Sequence, residues 1–262
     1  IAAYQFDKIN FYVDLESLII LNIYRISGNE NIKLNIKLLD DEPKGAFIKV
    51  DMSRVTFEII ETFPEVASYC VWPVIVQDNY VIAGLCSVAR QMIKHSEHKK
   101  VKKLLGFRDA CLMACSESSI WTKFCEVDMV STIKSILLNP SSYFDGNVLK
   151  LPQDMSRFEY HMGQPVRMHN IYKVAREQSN DKAIKSSIPI DKLDLHHTFG
   201  EGPFMTLSDI ILFSCTEIFL ALCPEDRLRE KLPLTINWFN TMKEKNVNKM
   251  KFSLDALGND VT

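Results

Sequence analysis

The chain has 262 residues, of which 47% are hydrophobic and 24% charged. At roughly 100–200 residues per domain this is one or two domains, with enough apolar residues to build a core without disulfides or metals. Lys and Arg number 31 against 33 Asp and Glu, a formal charge of −2. That balance excludes a generally basic nucleic-acid coat or an acidic tail, and leaves room for a local basic patch.

The first residue is Ile1, so the sequence reads as a piece of a longer chain. It has no charged start followed by an apolar run and small residues, so no signal peptide is read. The longest apolar stretch, Ile210 to Cys223, contains Thr216 and Glu217. It is too short and too polar for a bilayer, which needs roughly 20 apolar residues. The seven cysteines are Cys70, Cys86, Cys111, Cys115, Cys125, Cys215 and Cys223. The count is odd, most lie in apolar runs and none form C-x-x-C, so free thiols in a reducing cytosol are expected. The expected location is cytoplasmic.

In chain order, Ala2 to Phe6 predicts a short strand. Leu15 to Ser27 predicts a buried helix ending before Gly28. Ile32 to Leu39 alternates and predicts a strand. Arg54 to Thr62 predicts a short helix stopped by Phe63-Pro64. Trp72 to Val76 predicts a strand entered through a proline, and Tyr80 to Ala83 its partner across an Asp78-Asn79 turn. Leu85 to His95 predicts a closing helix. The order β-α-β-α-β-β-α is that of a thioredoxin-like domain.

After His98 the strand patterns stop. Val101, Leu104, Leu105, Leu112 and Cys115 share a helical face. Ile120 to Leu138 continues helically to Asn139-Pro140, and Met155 to Glu177 is helical with a break near Gly163 and Pro165. Gln178 to Leu195 is polar, weakly patterned and expected to be a mobile connection. Thr206 to Asp209 is the clearest helix start, an Asp variant of the capping box. Pro233 opens a last helix carrying Ile236, Trp238 and Met242.

A thioredoxin-like half followed by a helical half, with Pro73 before a strand, the Thr206–Asp209 box and the late Pro233–Trp238 helix, resembles the glutathione transferase fold. A closer resemblance is to the glutathione S-transferase C-terminal domain-containing proteins. Its residues are Leu104 to Phe107, Ala110 to Leu112, Ala114-Cys115, Trp121-Thr122 and Cys125-Glu126. Pro165 to Asn170, Phe199 to Gly202 and Thr206 to Ile210 add to it. It runs from about Asp78 to Met242 and is clearest in the helical half. It implies residues 1–98 as a thioredoxin-like domain and 99–262 as an all-helical one. It also implies an amino-terminal module, preceding a methyltransferase-like domain for which this sequence shows no strand and Gly-rich turn.

Glutathione transferases use a hydroxyl or thiol after the first strand and a Glu/Gln-Ser pair at the start of the helix after the fourth. The apolar spacing of the closing helix places that pair on Gly84-Leu85, which offer no hydrogen-bonding side chain. A slip would place Cys86-Ser87 there and turn the apolar face outward. Losing the carboxylate reader costs roughly 2–4 kcal/mol, about 30- to 1000-fold in affinity. Weak or absent glutathione binding is therefore expected. Tyr12, in the expected loop after the first strand, is the one weak catalytic candidate against a packing role. Pro73 and Ser87 are cofactor-binding candidates only if glutathione binds.

Lys94, Lys99, Lys100, Lys102 and Lys103 form the only dense basic run. It suits RNA phosphates or a solvated linker; Glu97 dilutes it, and no aromatic residues interleave. Cys111 and Cys115 share a face but lack further ligands, and His196-His197 point apart, so no metal site is read. Arg167, His169 and Asn170, in a Gly/Pro-flanked segment, are the candidate ligand- or partner-facing patch. The reading is a non-catalytic recognition or assembly module, whose partner is a protein or the methyltransferase-like domain. An atypical glutathione transferase using Tyr12 and Ser87, or an RNA-holding module, are the alternatives. No membrane partner is expected.

Overall fold

Leu15–Ser27 becomes helix α1 because its apolar run is capped at both ends. The Asp14 carboxylate accepts the Ser17 N–H at 2.8 Å, and Gly28 ends the helix in the left-handed conformation at φ 53°. In the computed structural model the described residues are 1–40, 45–77, 80–106, 120–145, 148–179, 184–223, 225–245 and 250–254. The Asp78-Asn79 turn and the Cys111 and Cys115 face lie outside them.

The first half contains β1 (Ala2–Gln5), β2 (Asn10–Val13), α1, β3 (Asn35–Leu38), β4 (Ile48–Asp51) and β5 (Glu58–Ile60). It continues with α2 (Glu65–Ser68), β6 (Val74–Gln77), β7 (Tyr80–Ala83) and α3 (Leu85–Lys94). β1 and β3 run parallel across α1, as the expected β-α-β order requires, and β5 adds a third parallel strand that this order did not include. Two strands extend that sheet beyond the expected pattern. β2 returns antiparallel on β1 through a turn in which Asp7 accepts the Ile9 and Asn10 N–H groups, both at 2.8 Å, and β4 follows β2. Phe11, Val13, Ile48 and Val50 supply their buried faces.

Asn10, Phe11 and Tyr12 therefore belong to a strand, not to the expected loop. The helix expected over Arg54 to Thr62 is also corrected. Its end is β5, where Ile59 and Ile60 pair with Ile36 and Lys37, and the helical turn comes after Pro64. Adjacent β-branched residues favour the strand, and β3 supplies the open edge. The Trp72–Pro73 bond is cis. It enters the β6–β7 hairpin, which forms its own two-stranded sheet beside the larger one.

The second half is helical: α4 (Lys99–Lys102) with a 3-10 turn to Leu105, α5 (residues 120–138), α6 (Gln153–Met162), α7 (Ile171–Ser179), α8 (Leu207–Leu222), α9 (Glu225–Arg229) and α10 (Pro233–Glu244). A two-residue hairpin, β8 (Phe144–Asp145) and β9 (Val148–Leu149), sits between α5 and α6. Together the halves have the two-part glutathione-transferase plan. A last strand, β10 (Phe252–Ser253), crosses back and pairs antiparallel with β4.

One apolar core runs through both halves. At their seam the Asn22 amide donates to the Ser214 hydroxyl at 3.0 Å, and its oxygen accepts the Met250 N–H at 2.6 Å. Lys134 pairs with Glu16 at 2.7 Å. The connection expected to be mobile is packed over its described part. Leu193 and Leu195 are buried with Val166, Ile171 and Val174, and the Tyr172 hydroxyl donates to the Ile188 carbonyl at 2.7 Å. Its apolar residues are too irregularly spaced to read as an element, yet they cover the α7 face.

Candidate functional site

Helix α3 is the helix at whose start the resemblance implies a carboxylate reader. Gly84 is its N-cap, at φ 89° and ψ 151°, and has no capping side chain. Leu85 is buried at the first turn and Ser87 is exposed at the third helical position. A carboxylate is nevertheless present, and it comes from the other half. Glu126 lies in the π-helical stretch Phe124–Met129 within α5, a wide turn of a kind that often marks functional positions. Its Oε2 accepts the Cys86 N–H at 3.3 Å, and its Oε1 lies 2.8 Å from where a Cβ on Gly84 would stand. The helix N-terminus attracts negative charge, and Gly84 leaves the space for it. Burial, then the Glu126 charge and its hydrogen bond, push the Cys86 thiol up to about 12. The thiol nearest this helix start is thereby kept protonated and inert.

The three glutathione candidates do not converge. The Tyr12 ring packs edge-on to Phe6 at 5.5 Å on the β1–β2 ribbon. Pro73 lines a cavity of about 470 Å³ with Phe63, Trp72, Gln91 and His95, and neither Tyr12 nor Ser87 reaches it.

A larger cavity, about 870 Å³, opens in the helical half. Its walls come from the 3-10 turn after α4, from α5 and α6, from the 167–168 segment and from residues 201–206. Trp121, Phe124 and Phe158 give it an apolar interior: Trp121 meets Phe124 edge-on at 5.9 Å, and Phe124 stacks on Phe158 at 6.4 Å. Lys103, Lys123, Arg157 and Arg167 bring cations to it. Asp128 is held by Lys123 at 2.8 Å and by Arg157 at 3.0 Å. The Lys123 hydrogen bond, then that of Arg157, pulls its carboxyl below the usual range, so it stays ionised and paired. Arg157 also binds Asp154 at 2.7 Å and lies over the Phe124 ring at 5.2 Å. Lys103 and Arg167 have no ion-pair partner among the described residues.

Of the expected patch, Arg167 thus lines a cavity. Asn170 serves the backbone instead: it takes φ 58° and its carbonyl accepts the Lys173 and Val174 N–H groups at the start of α7. His169 is half-buried and does not line the cavity. Lys94, Lys99, Lys100 and Lys102 are exposed, and Lys103 ends their run at the cavity.

Behind the cavity the Thr206 box is anchored by one buried carboxylate. Asp209 accepts the Gly200 N–H at 2.7 Å, the Thr206 N–H at 2.8 Å and the Trp238 Nε1–H at 2.9 Å. Burial pushes its carboxyl up to about 6, against those three hydrogen bonds. Glu201 accepts from the Thr206 and Ser208 hydroxyls, both at 2.7 Å. His196 and His197 diverge as expected for adjacent residues. His196 faces Asp194 at 3.2 Å in solvent, whereas the His197 ring meets His161 at 4.6 Å. Among the described residues no group of three or more His, Cys, Asp or Glu is placed to hold a metal. Among the described residues no helix is long and apolar enough to cross a membrane.

Sequence reasoning missed Glu126 and the cavity. Cys125-Glu126 carried a resemblance but no periodicity that marks a π turn, and the cavity joins five separated segments.

No model of a known protein family matches the chain, and no solved structure matches it. Curated proteins do. The chain is 43% identical over 175 residues to the glutathione S-transferase C-terminal domain-containing protein homolog of Drosophila melanogaster, a match that covers 62% of this chain and 28% of that protein. It is 26% identical over 251 residues to the glutathione S-transferase C-terminal domain-containing protein of Homo sapiens, covering 70% and 39%. The Xenopus laevis protein is 25% identical over 246 residues, covering 69% and 39%. The chain thus spans less than half the length of these relatives. Across insects and vertebrates, it is homologous to the glutathione S-transferase C-terminal domain-containing proteins.

Proposed function

We propose that this chain is a non-catalytic glutathione-transferase-like recognition module. The carrying observation is the Glu126 carboxylate at the start of α3. It holds the position where a glutathione enzyme would receive the γ-glutamyl carboxylate. A second anion there would meet both the charge and the bulk of Glu126, and Gly84 offers no side chain to help bind it. The ionisable groups suited to activating a thiol are also unavailable: Cys86 is buried and protonated, and Tyr12 stands on the β1–β2 ribbon.

Recognition falls to the helical cavity. Its volume suits a small molecule or part of a larger one, and its mix of aromatic walls and unpaired cations favours an anionic ligand. In this reading the module holds a ligand or partner for the rest of a longer protein, the methyltransferase-like domain that the resemblance implies. The test is an assay of thiol conjugation to an aryl halide, with glutathione in excess. We expect no rate above the uncatalysed background. A rate that is lost in Tyr12→Phe would establish the atypical enzyme instead.

A further inference from the structure

We propose that the helical cavity and the lysine row leading to it form a binding site for single-stranded nucleic acid. The inference rests on the recognition reading above and names its ligand. Three observations converge. Lys99 and Lys100 lie four and three residues before Lys103, so on the continuous α4 turn they share its face. All three are exposed, and none has an ion-pair partner among the described residues. A row of cations outside a cavity, ending at its mouth, fits a ligand longer than the cavity and charged at intervals. A phosphodiester chain has that form.

The cavity supplies what the linear sequence lacked. No aromatic residue interleaves the lysine run, but folding brings Trp121 and Tyr160 to the same opening. Tyr160 is 71% exposed, a large ring left to solvent on the cavity that Arg167 and Met168 also line. Aromatic faces of this kind stack unpaired bases, and a base within a duplex cannot reach them. The two acids at the site do not reverse its sign. Asp128 is paired with Lys123 and Arg157, and the single negative charge of Glu201 is outnumbered by Lys103 and Arg167. Lys103 and Arg167 therefore leave a net positive mouth on a chain whose total charge is −2.

The test is fluorescence anisotropy of the 262-residue chain with labelled oligouridine of about 12 nucleotides, its oligodeoxythymidine counterpart and a duplex, from about 50 to about 200 mM salt. We expect both single strands to bind more tightly than the duplex. Lys99→Gln/Lys100→Gln/Lys103→Gln should reduce the salt slope by about 2, at roughly 0.7 per lost phosphate contact. Tyr160→Ala should weaken single-strand binding by about 5- to 100-fold and leave the salt slope unchanged. Lys33→Gln, at an exposed ion pair in the other half, should change neither. A preference for oligouridine over oligodeoxythymidine would identify RNA as the source of the strand. No binding, or binding that ignores both the lysine triple variant and Tyr160→Ala, overturns the proposal. Duplex binding equal to single-strand binding also overturns it. Glutathione conjugation would instead overturn the recognition reading, so the two failures are distinguishable.

Discussion

The two halves treat their openings in opposite ways. In the thioredoxin-like half the start of α3 is buried and already faces a carboxylate, Glu126, sent from the helical half. In the helical half an opening of about 870 Å³ is lined by Lys103 and Arg167, which have no ion-pair partner among the described residues, and by the exposed Tyr160 ring. In the proposed reading, the position that glutathione transferases use for a small thiol ligand is here a seam between halves, and the second position is left for recognition. On that reading a fold-level expectation fixes where a helix begins, and a single side chain from a distant segment decides what that helix start can bind.

The largest expected effect sharpens the structural side of this comparison. Asp209→Ala removes the acceptor of three buried N–H groups and should lower the unfolding free energy by at least about 3 kcal/mol in a urea titration. An effect below about 1 kcal/mol would mean that residues 200–206, which wall the cavity, are not held by Asp209.

The same residue gives a pH dependence with a definite sign. Its carboxyl sits at about 6 in the folded chain, against 3.8 unfolded. Between those values the folded state binds more protons than the unfolded state, so this contribution falls as pH rises. It is fully present below pH 3.8, lost on passing pH 6 and worth about 3 kcal/mol. Unfolding free energies of the wild type and Asp209→Asn, taken across that window, should diverge by this amount, with the wild type losing more on the alkaline side.

The seam itself is tested by Gly84→Ala. At φ 89° a side chain is strained, and the new Cβ would stand 2.8 Å from Glu126 Oε1. A loss of about 1–3 kcal/mol is expected. Glu126→Ala in the same background should recover part of it, since the clash would be gone; full additivity would show that the two residues do not meet. The smallest effect is chemical. Iodoacetamide should modify half-exposed Cys70 well before buried Cys86, and mass spectrometry of the early product would show the reverse if the α3 start were open.

Much of this architecture was legible in local chemistry. Asp14 and Gly28 bound α1 at the expected residues, and Thr206 with Asp209 opens α8. These signals lie within a few residues of the feature they specify. β2 and β4 were missed because four-residue strands such as Asn10–Val13 carry only two apolar positions, too few for a period to stand out. Ile59 and Ile60 were misread because their strand depends on the edge of β3, some 20 residues earlier. The site was harder still. Arg167 was singled out for its chemistry and does line the cavity. Nothing local told that Lys103, Tyr160 and Thr206 would share it, or that Glu126 would travel 40 residues back to Cys86. Such placements are set by how the halves pack, and packing is specified by the whole core.

Calorimetric titration of glutathione, to several millimolar, into the wild type and Glu126→Ala tests the closed helix start most directly. A closed start gives no heat with the wild type and weak binding once the competing carboxylate is removed. Micromolar binding to the wild type would contradict it, because the ligand carboxylate would then have a receptor at α3 that Glu126 does not occupy.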